Sequence, residues 1–175
     1  FYRSVDDLPP FEDYSMEGRT YRYFRGEPLY PFGHGLSYTT FEYGDLAVSR
    51  QRAAAGESVD ITLRVTNTGP VAGDEVVQLY VRDEYTGCPR PVKELKGYAR
   101  LALQPAESRT VTFHLPVDHL SFYDGGPGLS LHPGKVAVML GGSSQDIRLR
   151  GELEIVGPGP VPVKERTFVC PVQVD

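Results

Sequence analysis

Ser58-Val-Asp-Ile-Thr-Leu-Arg-Val-Thr-Asn67 decides the fold. Its aliphatic residues Val59, Ile61, Leu63 and Val65 alternate with Asp60, Thr62, Arg64 and Thr66. A period of two sends alternate side chains to opposite faces of an extended chain, so the stretch predicts a strand with one dry and one wet face. Asn67-Thr68-Gly69-Pro70 ends it with turn chemistry, in which Gly69 can take a positive φ.

The alternation recurs on both sides. Phe41–Ser49 precedes it. Glu75–Arg82 follows, with Val77, Leu79 and Val81 reading inward and Gln78, Tyr80 and Arg82 outward. Glu94–Leu103 comes after the Pro89 and Pro91 interruption. Arg109–Leu115 sets Val111, Phe113 and Leu115 against Thr110, Thr112 and His114. Leu120–Tyr123 reads as a fragment, Lys135–Leu140 as a strand with Val136, Val138 and Leu140 inward, and Ile147–Val156 as the last strand, with a bulge expected at Gly151. Short half-buried strands separated by turn signals, with no helical period, predict an all-β, two-sheet sandwich of about seven strands, of the fibronectin type III or immunoglobulin kind.

Two flanks fall outside this pattern. Residues 1–41 are aromatic and weakly periodic. The run Tyr21–Tyr38 holds six aromatic residues among glycines and prolines. Such rings are costly to leave in water, so this arm is expected to pack on something, with part of its apolar surface exposed where a neighbouring domain is missing. Residues 157–175 open Gly-Pro-Gly-Pro and continue Val161-Pro162-Val163. Proline lacks the ladder donor, which predicts a tail or an edge-hugging strand. Residues 42–156 are the sandwich.

Composition narrows the function classes. The chain has 175 residues, 40% hydrophobic and 23% charged, with a net charge of -5 and 19 Gly and 15 Pro spread as punctuation. A mildly acidic chain without a basic stripe speaks against a nucleic-acid partner. No stretch approaches the roughly 20 apolar residues of a membrane span, so no membrane partner is expected. The first residue is Phe, which reads as a cut within a longer chain. Cys88 and Cys170 lie far apart, leaving a disulfide or two free thiols open. They match no metal spacing, and no metal or other cofactor is expected.

Two stretches resemble the C-terminal region of family 3 glycoside hydrolases, the β-glucosidase and β-xylosidase family. One is Gly18-Arg-Thr-Tyr-Arg-Tyr-Phe24 leading into Leu29-Tyr-Pro-Phe-Gly-His-Gly-Leu-Ser-Tyr-Thr-Thr-Phe41. The other is the sandwich itself: Val65-Thr-Asn-Thr-Gly69, Gly73-Asp-Glu-Val-Val-Gln-Leu-Tyr-Val81, Pro91-Val-Lys-Glu-Leu-Lys-Gly97, Leu120-Ser-Phe-Tyr-Asp124 and Pro133-Gly134. The resemblance covers about residues 1–156. It implies that the arm closes an α/β domain of a parent enzyme and that the sandwich is its fibronectin type III-like module. The partners so implied are the catalytic domains of the same parent chain; an oligo- or polysaccharide is the partner of the alternative, glycan-binding reading. The compartment stays open, with periplasmic or extracellular favoured over cytoplasmic.

The resemblance also implies where the chemistry is not. A retaining glycosidase needs two carboxyls about 5–5.5 Å apart. In this family the nucleophile is an Asp in a Ser-Asp-Trp context on a barrel, and the acid/base is a Glu on the following α/β domain. This chain has no Ser-Asp pair and no Trp, so no catalytic residue is assigned. Glu12 and Asp13 are adjacent and point apart on an extended segment. Arg19, Arg22 and His34 in the arm are candidates for the rim of the parent's pocket; the alternative is local pairing. Tyr80, Tyr85, Tyr98 and Tyr123 are candidates for stacking on a sugar ring. His114, His119 and His132 are scattered and read as structural. The implied function is a non-catalytic accessory domain of a retaining β-glycosidase; the alternative is a carbohydrate-binding or adhesive sandwich.

Overall fold

The computed structural model describes residues 2–16, 18–84, 87 and 90–175. Seven long strands form the sandwich: β1 (Phe41–Val48), β3 (Ser58–Asn67), β4 (Gly73–Asp83), β5 (Glu94–Leu103), β6 (Ser108–Pro116), β9 (Gly134–Gly141) and β10 (Ile147–Ile155). The short β2 (Arg52–Ala53), β7 (Phe122–Tyr123), β8 (Leu129–Leu131), β11 (Val161–Val163) and β12 (Val172–Val174) fill in around them. One sheet runs β1-β3-β6-β12 and the other β2-β10-β9-β4-β5; β11-β8-β7 form a small third sheet. The pairings are antiparallel except β2 on β10.

The alternating residues meet between the two main sheets. Val59, Ile61, Leu63 and Val65 of β3 and Val111, Phe113 and Leu115 of β6 face Val77, Leu79, Val136, Val138, Leu140 and Leu153 of the other sheet, all buried. Each such aliphatic contributes about 1.5–3 kcal/mol by leaving water. Register follows, because a one-residue slip would turn every one of these side chains to solvent.

The tail is more than an appendage. β12 pairs with β6 at Val172↔Phe113 and Val174↔Val111. Just before it, Cys170 is buried against Gly97 of β5 and Phe113 of β6. The tail therefore closes the open side of the sandwich, where β6 and β5 are the neighbouring edges. Val161–Val163 pairs with β8, as an edge strand bearing proline must. Cys170 is a free thiol, and burial pushes its pKa up to about 11. Cys88 lies outside the described residues.

Several local expectations are corrected. The irregularity in β10 falls between Ile147 and Leu149, while Gly151 stays in register opposite Val138. Gly69 does not take a positive φ. Its missing side chain serves close approach instead, since a Cβ there would sit 2.2 Å from Thr39 Oγ1. Gln78 and Tyr80, which the alternation turns outward, are buried. The arm covers that face of β4, a contact that no strand periodicity reports. The arm itself contains one helical turn, α1 (Thr20–Tyr23), and a 3₁₀ turn at Val5–Asp7, and no strand among its described residues.

Candidate functional site

The arm seats on the sandwich through backbone groups. Gln78 Nε2 donates to the carbonyls of Gly33 (3.2 Å) and Gly142 (2.5 Å). Tyr80 donates its hydroxyl to Gln78 Oε1 at 2.5 Å. Ser144 N donates to Phe32 O at 2.8 Å, and Val92 N to Arg22 O at 3.0 Å. At the arm's end Thr39 Oγ1 donates to Asn67 Oδ1 at 2.7 Å. Gly33 takes φ +77° to pass over Gln78.

Two depressions result. The larger is a groove of about 760 Å³ between the arm and β4, lined by Phe32, His34, Glu75, Gln78, Tyr98 and Arg148 among others. At its floor Arg148 grips both Asp146 oxygens, donates Nη1 to Phe41 O at 2.8 Å, and stacks over the Tyr43 ring with 4.6 Å to the centroid. Desolvation holds the Glu75 carboxyl above its ordinary range, partly offset by Arg148. The Tyr43 hydroxyl beside it is buried, and desolvation, then the Glu75 charge, raise its pKa strongly. Glu75 and Asp146 approach the same point over Gly142, where a Cβ would lie 3.2 and 3.1 Å from them. Asp146 is neutralised by Arg148, so this cluster ties the start of β1 to the β9–β10 turn.

The smaller depression, about 230 Å³, is lined by Arg22, Tyr23, Arg90, Glu94, Tyr123 and Arg166 among others. Arg90 lies over the Phe122 ring at 3.8 Å and reaches Asp83 (3.6 Å) and Glu94 (3.1 Å). Behind it Lys96, 6% exposed, pairs with Glu94 at 3.1 Å and donates to His119 O at 3.0 Å. Burial lowers the Lys96 ammonium pKa, offset by Glu94, and desolvation drops His119 to about 4.

The predicted site residues divide. Arg19 is spent on the arm itself, donating to the carbonyls of Ser15 (3.0 Å), Pro10 (2.7 Å) and Asp13. Arg22 and Tyr123 meet at the small pocket, and His34 and Tyr98 at the groove. His34 packs on Tyr30 at 5.6 Å. Tyr98 and Tyr123 are 65% and 70% exposed. Tyr80 is 2% exposed, so its ring is closed to any sugar, a correction that follows from arm coverage. Tyr85 lies outside the described residues. Glu12 and Asp13 are exposed, and Asp13 accepts from Ser15 N at 2.9 Å in a local turn. His114 lies 2.7 Å from Asp60, His132 lies 2.8 Å from Asp124, and His119 is buried near Lys96. Arg90, Glu94, Lys96 and Arg166 escaped sequence reasoning as a group. Glu94 and Lys96 stood inside a quoted motif, but nothing in the spacing marked either as buried.

The three long strands β1-β3-β6 of one sheet, facing the four long strands β10-β9-β4-β5 of the other, define a fibronectin type III-like sandwich. Residues 75–144 match the fibronectin type III-like domain family. A xylan 1,4-beta-xylosidase of Xylanibacter ruminicola is 41% identical over 151 residues, 86% of this chain and 17% of that protein. Thermostable beta-glucosidase B of Acetivibrio thermocellus is 40% identical over 152 residues, 86% of this chain and 20% of that protein. Among solved structures, beta-glucosidase 3B of Thermotoga neapolitana in complex with glycerol superimposes with a TM-score of 0.73 at 37% identity, over 82% of this chain and 20% of that one. The beta-glucosidase of Listeria innocua in complex with glucose gives 0.70 at 39%, over 75% and 18%. The chain is thus a fibronectin type III-like domain, with its arm, of the kind carried by family 3 glycoside hydrolases. It spans about a fifth of the length of the relatives it matches.

Proposed function

We propose that this chain is the C-terminal accessory region of a retaining β-glycosidase, and that it braces the catalytic domains without cleaving sugar bonds. The parent would release xylose or glucose from short β-linked chains. The observation that carries this reading is the two-sided arm. One side is hydrogen-bonded to β4 and the β9–β10 turn, while Phe11, Tyr14, Leu36 and Tyr38 stand exposed on it. Four large apolar side chains left this exposed on one segment suit a surface that a neighbouring domain buries, and the adjoining α/β domain of the parent is the occupant proposed. The purified chain should show no turnover of aryl β-xylosides or β-glucosides, and the full-length parent should turn them over. Turnover by the chain alone would sink the proposal.

A second reading, a module that holds glycan, rests on the exposed rings of Tyr98 and Tyr123. Affinity electrophoresis in xylan separates the two: retardation that Tyr98→Ala or Tyr123→Ala abolishes supports the binding role, and unaltered mobility removes it.

A further inference from the structure

The small pocket beside α1 holds more positive charge than its own carboxylates neutralise. Glu94 is shared between Arg90 and Lys96, at 3.1 Å each, and Asp83 faces Arg90. Arg22 and Arg166 line the same pocket with no carboxylate within salt-bridge distance among the described residues. The Nε atoms of both Arg90 and Arg166 are buried and lack an acceptor. A buried N–H without an acceptor is costly, so these two Nε atoms add to the positive character of the wall, and the Nη groups of Arg22 and Arg166, with no carboxylate within salt-bridge distance among the described residues, are the donors left to meet an anion in the pocket. Guanidinium is also the group whose planar fork matches a carboxylate with two parallel hydrogen bonds.

The rest of the lining limits what carries that carboxylate. The largely exposed Tyr123 flanks the arginines, giving a ring face on which the apolar face of a pyranose can lie, while Tyr23 backs Arg22 with 5.9 Å to the ring centroid. A volume of about 230 Å³ is below the roughly 300–1,000 Å³ of drug-sized sites, which suits one sugar-sized unit rather than an oligomer. We propose that this pocket binds a uronate: the carboxylate sits between Arg22, Arg90 and Arg166, and the pyranose ring lies against Tyr123. The proposal stands apart from whether the parent is a hydrolase, since it rests on three arginines of this chain, from the arm, the β4–β5 connection and the tail.

The test is titration of the 175-residue chain with sodium D-glucuronate at low ionic strength, following the arginine Nε–H resonances by NMR. Glucuronate should shift the Arg90 and Arg166 signals saturably. D-Glucose, the same ring without the charge, should leave them in place, and acetate should bind about tenfold more weakly for want of the ring. Arg166→Gln should weaken glucuronate binding about tenfold or more, as loss of a charged hydrogen bond does. Arg22→Gln, on the exposed face of the arm, gives the same reading if the first variant unfolds. No saturable shift, equal response to glucose, acetate matching glucuronate, or full affinity in a folded arginine variant would each overturn the proposal.

Discussion

Gly33 and Gln78, 45 residues apart, are packed so closely that a Cβ on Gly33 would lie 2.0 Å from Gln78 Oε1. That contact, with φ +77° at Gly33, holds the arm on the sandwich. Gly33→Ala adds a clash to a left-handed backbone, and should cost about 1–3 kcal/mol. The loss is expected to be local. Limited proteolysis should cut within residues 24–40 far faster in the variant, while the sandwich beyond Phe41 survives intact. Equal cleavage rates would show that Gln78 yields and the contact is soft.

Asn67 is a second junction, fully buried. Its Nδ2 donates to the carbonyls of Val71 (2.8 Å) and Leu103 (3.0 Å), and its Oδ1 accepts from Thr39 Oγ1 and Gly69 N. Asn67→Ala strands all four partners and should cost about 2–4 kcal/mol in urea unfolding. Asn67→Asp sets a carboxylate against two carbonyl oxygens. Burial and those oxygens favour its protonated form, so its folded pKa lies above the unfolded value. The stability of this variant should fall as pH rises from 4 to 8, and a flat profile would mean that the site relaxes or admits water.

His119 titrates in the opposite sense. Desolvation first, then the nearby Lys96 and Arg166 charges, lower it to about 4 in the folded chain, below the ordinary 6.5. The unfolded chain therefore takes up the proton earlier as acid is added. Stability from the neutral ring is fully present above pH 6.5 and is lost as pH falls toward 4, on the order of 1–3 kcal/mol. Wild type should lose urea stability across that window, and His119→Gln should lose less. Parallel curves for the two proteins would remove His119 as the source.

Ala106 sits exposed in the β5–β6 turn at φ +62°, with its N–H donating to Asn67 O at 2.9 Å. An L-residue with a Cβ is strained there and glycine is not. Ala106→Gly should raise the thermal midpoint, worth up to about 1 kcal/mol, against the usual direction of such a change. A lower midpoint would mean that added freedom in the unfolded chain outweighs the relieved strain.

Much of the sandwich was legible before any coordinates. Val59, Ile61, Leu63 and Val65 are buried as their alternation demands, and so are Val111, Phe113 and Leu115. The arm–sandwich contact was not legible. Gln78 and Tyr80 carry an outward strand signature, and only a neighbouring loop of aperiodic sequence makes them interior. Gly69 reads as a turn glycine, yet its reason is the approach of Thr39 from 30 residues away.

The small pocket is the clearest case of this limit. Arg22, Arg90 and Arg166 come from the arm, the β4–β5 connection and the tail. Local alternation is a property of neighbouring residues, so the primary structure dictated which strands form and which faces go dry. Convergence of three distant arginines depends on how those strands order themselves into sheets and on where the loops then land. Only the folded chain decides that, because the energy of such a cluster arises between residues that share no local pattern.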